Sequence, residues 1–434
     1  MQTKLERIHE MSTNTPELIF TSIGHLMNRE LLLECHQKAD GKKALGVDEV
    51  SKADYEVNLD ENMNKLVSRL KSHAYHPLPS KRVMIPKDNG KMRPLGISSY
   101  EDKLVQEALK EILEAVFEPM FYECMYGFRP KRNCHMAIKQ LNQMIEKNKT
   151  SYILDADIEG FFNHINHDWM MKFIEARIKD PNILRLVNLF LKAGVIQEGI
   201  FEETEEGTAQ GSGCSPIMAN IYMHYVLVWW FYEKFKLQAR GYCDIVVYAD
   251  DFVCCFQYKD DATLFHELLR KRLAYFSLRL EETKSRLIEF GRFAEENRTH
   301  RGAGKPETFD FLGFTHYCAH SSKGKFRVKR KTSAKKVRKK LKEINLWIKV
   351  HRNLPKKIIM DKLSIRLKGY YRYYGITDNY YTIKAFGNMV EKALFKWLNK
   401  RSQKKSYTWE RFHRMLKSYG LPKAKIYVNI YDIA

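Results

Sequence analysis

The stretch Tyr242–Gln257, YCDIVVYADDFVCCFQ, reads as two β-rich runs that meet at two adjacent acids, Asp250 and Asp251. CDIVV and FVCCF are apolar and rich in β-branched or aromatic residues, which is the composition of strands. A tight hairpin between them presents both carboxylates at the edge of a sheet. Two carboxylates in such company are costly to bury without compensating charge. Divalent cations are the natural compensation, because Mg²⁺ takes oxygens from one or two carboxylates plus substrate phosphate. Read alone, Y-x-D-D also fits a solvated turn with a pair of acids.

Working outward, the run SYILDAD (151–157) ends at Asp157 and is followed by Ile158-Glu159-Gly160-Phe161-Phe162. A strand-terminal acid with aromatics four and five residues later supplies a third carboxylate and an apolar wall. Asp155 shares strand parity with Asp157 and could point to the same face. The aromatic spacing selects Asp157 and leaves Asp155 as the bystander. Three carboxylates from two strands suit a two-metal site for phosphoryl transfer, in which positioning and charge stabilisation do most of the chemistry.

Around this centre the chain is α+β. Residues 1–15 are polar and read as frayed. LIFTSIGHLM, NRELLLECHQKA and LDENMNKLVSRLKS carry apolar residues at helical spacing. KRVMI (81–85) reads as a strand ending at Pro86, and KDNGKMR (87–93) holds an Asn-Gly turn between basic residues, which suggests a hairpin. Residues 101–119 read as an amphipathic helix, and 258–282 return to a helical pattern. SSKGKFRVKRKTSAKKVRKK reads as a basic loop running into a helix whose apolar face is Val337, Leu341, Ile344 and Ile348, with two more helices near 356–372 and 380–402. The domain boundary is placed near residue 320.

Charge divides at the same place. The 434 residues hold 74 Lys+Arg and 52 Asp+Glu, a net +22, yet residues 321–434 hold 32 Lys+Arg and 6 Asp+Glu, a net +26. A nearly neutral body therefore carries a very basic appendage, which points to a polyanionic partner. The 44% hydrophobic content excludes a disordered tail protein, and the lack of a long apolar stretch leads us to expect no membrane partner. The N-terminus has no apolar core segment of a secretory signal. The eight cysteines form no C-x-x-C pair, which leaves zinc and disulfide frameworks unsupported and fits a reducing cytosol.

The ordered motifs resemble the group II intron reverse transcriptase–maturase family of bacteria. They are IPKDNGKMRPLGI (85–97), YGFRPKRNCHMA (126–137), DADIEGFFNHINHD (155–168), GTAQGSGCSP (207–216) with IMANIYMHYVL (217–227), YADDF (248–252), LRLEETKSRLIEFGRF (278–293), FLGFTHY (311–317) and YYRYYGITDN (370–379). The resemblance implies a right-hand polymerase fold: an N-terminal extension (1–60), fingers and palm with an antiparallel sheet plus helices (61–320), and an α-helical thumb or maturase domain (321–434). It implies that Asp157, Asp250 and Asp251 are the catalytic, metal-binding acids for two Mg²⁺ ions, with Mn²⁺ as a substitute. Lys284 would assist the pyrophosphate leaving group. Lys87 and Arg93 would grip the nucleotide triphosphate, Phe162 would exclude a 2′-hydroxyl, and Gln210 would line the nucleotide pocket. Leu312, Gly313 and Phe314 would form the primer grip. The implied partners are intron RNA and RNA template, a DNA or RNA primer, dNTPs and target DNA, in a bacterial cytoplasm near the nucleoid.

Within that resemblance, phosphate contacts are expected at Lys42 and Lys43 of the N-terminal extension. Others are expected along the basic rows of the appendage, at Lys329, Arg330, Lys331, Lys335, Lys336 and Lys339. About half of the tyrosines at 370–374 read as bundle core. Plainer readings also stand for several residues: Lys284 as a solvated charge, Phe161, Phe311 and Phe314 as core, His164 and His167 as polar loop residues, and Arg129 as a structural or template-backbone contact. Ala209 stands where the family usually has proline, and Val247 where arginine is frequent. No paired cysteines and histidines of a nuclease follow the thumb, so the chain is expected to match the class lacking that domain.

Overall fold

A computed structural model describes residues 2–86, 92–197, 200–208, 211–403 and 406–431. The strands in chain order are β1 (Ser80–Pro86), β2 (Met92–Ile97), β3 (Tyr152–Asp157), β4 (Val195–Gln197), β5 (Ile200–Glu202), β6 (Cys243–Tyr248), β7 (Asp251–Phe256), β8 (Arg286–Glu289), β9 (Phe309–Phe311), β10 (Phe314–His320) and β11 (Phe326–Thr332). Among the described residues they form three sheets, ordered β2-β1-β4-β5, β6-β7-β3-β8 and β11-β10-β9. All neighbours are antiparallel except β1 and β4.

The apolar run at Tyr242–Gln257 is continuous because both faces of its sheet are covered. Ile245, Val247, Phe252, Cys254 and Phe256 point into the main core with the helices Tyr100–Phe117, Ser215–Met223 and Lys259–Tyr275. Val246, Val253 and Cys255 point the other way, onto the helix Cys134–Lys147 and onto Phe309, Phe311 and Val328 of the β9–β11 sheet. The adjacent cysteines therefore serve opposite faces as small buried hydrophobes.

After Thr332 the chain is helical, with Ala334–His351, Lys356–Tyr374, Tyr380–Leu398 and Trp409–Tyr419 around a separate core. Ile344 and Ile348 are buried there and Val337 and Leu341 are packed against it, as the apolar spacing predicts. Tyr370 and Tyr371 belong to this core as well.

Several expectations are corrected. Residues 2–14 are a helix, tied down by Ser12, whose hydroxyl donates to the Val116 carbonyl and accepts from Arg177. LIFTSIGHLM is not an α-helix; it contains one tight turn, Gly24–Leu26, whose Ile23 and Gly24 N–H groups donate to the buried Asp180 carboxylate. The helical pattern proposed for 258–282 ends at Tyr275. Residue 320, where the sequence reading places a boundary, lies in the β10–β11 hairpin, and the helices that follow begin at Ala334. FRVKRKT is a strand and not a loop, because its charges hide a period of two: Val328, Arg330 and Thr332 are buried while Arg327, Lys329 and Lys331 face outward.

Candidate active site

Asp157 and Asp251 stand directly opposite each other in the β3–β7 ladder. Asp250 lies in the two-residue turn between Tyr248 and Asp251, which themselves pair across the β6–β7 hairpin. Three carboxylates are thus brought to one end of one sheet. The turn requires Ala249 at φ 59°, a region that residues with a side chain seldom adopt. A neighbouring backbone segment holds it there. Val247 N–H donates to the Cys124 carbonyl and Tyr126 N–H to the Val247 carbonyl, both at 2.9 Å. A Cβ on Gly127 would lie 2.3 Å from the Ala249 nitrogen, so only glycine lets the two backbones meet. Asn220 Nδ2 donates to the Gly127 carbonyl at 2.9 Å and ties this brace to the helix Ser215–Met223. The motifs YGF and MANIY give no sign of this role in sequence, because the brace exists only in three dimensions. Arg129 is structural: it is buried, paired with Glu118 at 2.9 Å, and donates to the carbonyls of Tyr122 and Met125.

The electrostatics follow from the crowding. Burial and the nearby Asp157 charge raise the Asp250 pKa, while Arg93 and Lys284 work against that rise. Asp251 is pushed well above the ordinary carboxylate range by burial, then by Asp155, Asp157 and Asp250. Asp155, the bystander of the sequence pattern, lies on the same face, and burial lifts its pKa to about 7 against the opposing pull of Arg286. Lys284 forms an ion pair with Asp157. Its loop is placed by Glu281 N–H, which donates to the Asp157 carbonyl at 2.8 Å. Burial opposes the Lys284 charge, but the bond to Asp157 and the charges of Asp157, Glu281 and Asp250 leave its pKa raised.

Among the described residues no group of three His, Cys, Asp or Glu side chains is by itself arranged to hold a metal ion. The donor set still fits divalent ions that draw their remaining oxygens from phosphate, since hard carboxylate oxygens gather here with excess negative charge. Asp157, Asp250 and Asp251 are the residues that would hold them.

Phe162 is half-buried beside this centre, edge-on to Phe128 at 6.3 Å, whereas Phe161 is core. Thr208 N–H donates to the Phe162 carbonyl at 2.8 Å, and the His167 ring bonds the Gly207 carbonyl at 2.7 Å. Gly207 takes φ 83°, and a Cβ there would lie 2.7 Å from the Asn163 carbonyl oxygen. On the far side, a Cβ on Gly211 would lie 2.6 Å from the Gly96 carbonyl oxygen of β2. Gln210 lies between these two glycines, outside the described residues, as does Lys87. Arg93 is exposed on β2 and acts on the Asp250 charge.

Leu312 and Gly313, at φ 50° and 79°, close the β9–β10 hairpin next to the acids, and the Leu312 N–H works against the rise of the Asp251 pKa. Phe314 is corrected as a grip residue: its side chain is fully buried and stacks on Tyr373 at 5.9 Å, so it supports the turn from below. Lys42 and Lys43 are exposed, as are Lys331, Lys335, Lys336 and Lys339, while Lys329 is half-exposed. Arg330 is corrected outright. It is fully buried and bonds Asn142 and the Val328 carbonyl, so it has no access to phosphate. Lys336, Lys339 and Lys340 face Arg366, Tyr370, Tyr373 and Tyr374 across a groove of about 470 Å³.

Known proteins resemble the chain over much of its length. The family profile described as "Reverse transcriptase (RNA-dependent DNA polymerase)" matches residues 85–316, more than half of the chain. The chain is 34% identical over 238 residues to the "Group II intron-encoded protein LtrA" of Lactococcus lactis subsp. cremoris, covering 54% of this chain and 38% of that protein. It is 36% identical over 187 residues to "Protein YkfC" of Escherichia coli (strain K12), covering 42% of this chain and 49% of that protein. It is 33% identical over 95 residues to "Nuclear intron maturase 1, mitochondrial" of Arabidopsis thaliana, covering 21% and 13%. The chain spans less than half the length of these curated relatives.

Proposed function

The chain belongs to the reverse transcriptase (RNA-dependent DNA polymerase) family, in its group II intron reverse transcriptase/maturase line, and from that premise we propose that it copies RNA into DNA and binds intron RNA to assist splicing and mobility. The observation that carries the polymerase reading is the pairing of Asp157 with Asp251, with Asp250 in the adjoining turn. Bound Mg²⁺ ions, or Mn²⁺ in their place, would activate a primer hydroxyl and neutralise charge on the leaving pyrophosphate.

The chain's own residues supply the rest. Asp157, Asp250 and Asp251 give the site its negative charge at a fixed sheet end. Arg93, exposed on β2 and within electrostatic reach of Asp250, offers a planar fork for the triphosphate of an incoming dNTP. Lys284, held at Asp157, is placed to hand charge to the departing phosphate. The Phe162 ring, set edge-on against Phe128 and Phe161, gives the sugar a rigid wall. The exposed lysines of the helical unit hold the primer–template duplex, intron RNA and target DNA by sequence-independent charge. Such work belongs in the cytoplasm, near the nucleoid; among the described residues no helix is long and apolar enough to cross a membrane.

The test is primer extension on an RNA template with dNTPs and Mg²⁺. Wild-type protein should extend the primer and the Asp250→Asn variant should not. Equal extension by both would sink the proposal. Splicing assistance without extension by the wild type would leave an RNA-binding cofactor.

A further inference from the structure

The Leu312–Gly313 turn touches a catalytic acid on one side and the C-terminal helices on the other. Its backbone is not one that leucine adopts unaided: Leu312 sits at φ 50°. The peptide groups that flank its Cα meet partners on both sides. The Leu312 N–H acts on the Asp251 carboxylate, working against the rise that burial imposes on its pKa. The Leu312 carbonyl accepts the Tyr373 hydroxyl at 3.0 Å. Tyr373 lies in the helix Lys356–Tyr374, in the unit that follows the palm and its hairpins.

Tyr373 is itself held from several sides. Its ring stacks on Phe314 at 5.9 Å and 17°. Its carbonyl bonds the His135 ring nitrogen at 2.7 Å, from the helix Cys134–Lys147 beneath the palm sheet. The Cys134 thiol lies near enough to act on the hydroxyl, though burial is the larger influence on it. A neutral thiol is a weak acceptor, so the proton goes to the Leu312 carbonyl. Beside this junction, a Cβ on Gly313 would lie 3.1 Å from the Tyr374 hydroxyl, which leaves the turn little room to drift. The ring accounts for the packing, and phenylalanine would pack as well. The hydroxyl is spent on the turn.

Tyr373 also lines the groove of Lys336, Lys339 and Arg366. A polyanion seated in that groove meets the same residue that holds the turn. We propose that Tyr373 is a positioning residue for polymerisation: its hydroxyl fixes the Leu312–Gly313 turn against Asp251, so that the seating of the helical unit sets the orientation of a catalytic carboxylate. This rests on the polymerase reading given above.

Tyr373→Phe removes the one bond and keeps the ring. Single-nucleotide incorporation is measured against Mg²⁺ and dNTP concentration, together with primer–template affinity and Tm, with the exposed Tyr381→Phe as a control. The expected result is a kcat lower by about tenfold and a higher Mg²⁺ concentration for half-maximal rate, while dNTP KM, duplex affinity and Tm stay within error. Tyr381→Phe should match wild type throughout. A Tyr373→Phe enzyme with wild-type kcat and Mg²⁺ dependence overturns the proposal. So does a loss that comes entirely from weaker duplex binding, which would make Tyr373 a nucleic-acid contact. If the wild type itself fails to extend a primer, the polymerase reading falls and takes this inference with it; extension by wild type with an unaffected variant removes this inference alone.

Discussion

The acidic turn between β6 and β7 and the basic helices after Ala334 both concentrate charge, and they do so in opposite ways. At the turn the acids are half-buried and locked in place. The ladder sets Asp157 against Asp251, and Gly127 braces Ala249. Burial, and after it the neighbouring acid charges, raises the pKa of both Asp250 and Asp251. In the helical unit Lys335, Lys336 and Lys339 are exposed on the surface. Charge held in a buried, fixed geometry can do chemistry on particular atoms. Charge on an exposed surface raises affinity for any polyanion, and salt screens it.

The sharpest way to break this contrast is at the turn. Asp250→Asn keeps the shape and removes the charge. If several kcal/mol of transition-state stabilisation depend on that carboxylate, extension falls by about 10³-fold, at low and high salt alike. A loss that salt could mimic would place Asp250 among the binding charges. The converse experiment replaces Lys335, Lys336 and Lys339 together by alanine. Every phosphate that the variant no longer neutralises takes roughly 0.7–0.9 off the slope of log affinity against log salt, so the slope should flatten by roughly 2 while kcat on saturating duplex is kept. An unchanged slope would mean that these lysines do not meet phosphate.

Phe162→Ala tests the wall between the two regimes, where shape rather than charge decides. A rigid ring that rejects one hydroxyl is worth about 10-fold or more in discrimination, so ribonucleotide incorporation should rise relative to dNTP by that order. Equal discrimination in the variant would assign the ring to packing against Phe128 and Phe161 alone.

The fold and site are legible in the sequence where the code is local. Runs such as CDIVV, FVCCF and SYILDAD carry their own strand signal, and an acid inside or just after such a run is conspicuous. That suffices for the three aspartates, and ordered motifs place Arg93 and Phe162 near them. It fails where the deciding partner is far away in sequence. Nothing local shows that Gly127 must meet Ala249, or that Ser12 finds Val116 and so turns a polar N-terminus into a helix. It fails again in β11, where charge density hides a strand. There a run of cations reads as one surface, although the pleat turns every second residue inward.

Arg330 is the residue on which that error can be measured. By composition it belongs with Lys329 and Lys331, but by position it is a buried cation with guanidinium atoms Nε and Nη1 lacking partners among the described residues. Burial lowers its pKa, against the raising influence of Tyr431, Asp378 and Glu146. A buried charge so incompletely matched stabilises little, and an apolar side chain of similar length often serves as well. Arg330→Met should therefore leave Tm within a few degrees of wild type and leave the salt slope of duplex binding unchanged. Lys331→Met, one position along and exposed, should flatten that slope by roughly 0.7–0.9 if it meets phosphate. A flattened slope for Arg330→Met would mean that β11 turns outward when nucleic acid binds, and the division between buried and exposed charge would then have to be drawn elsewhere.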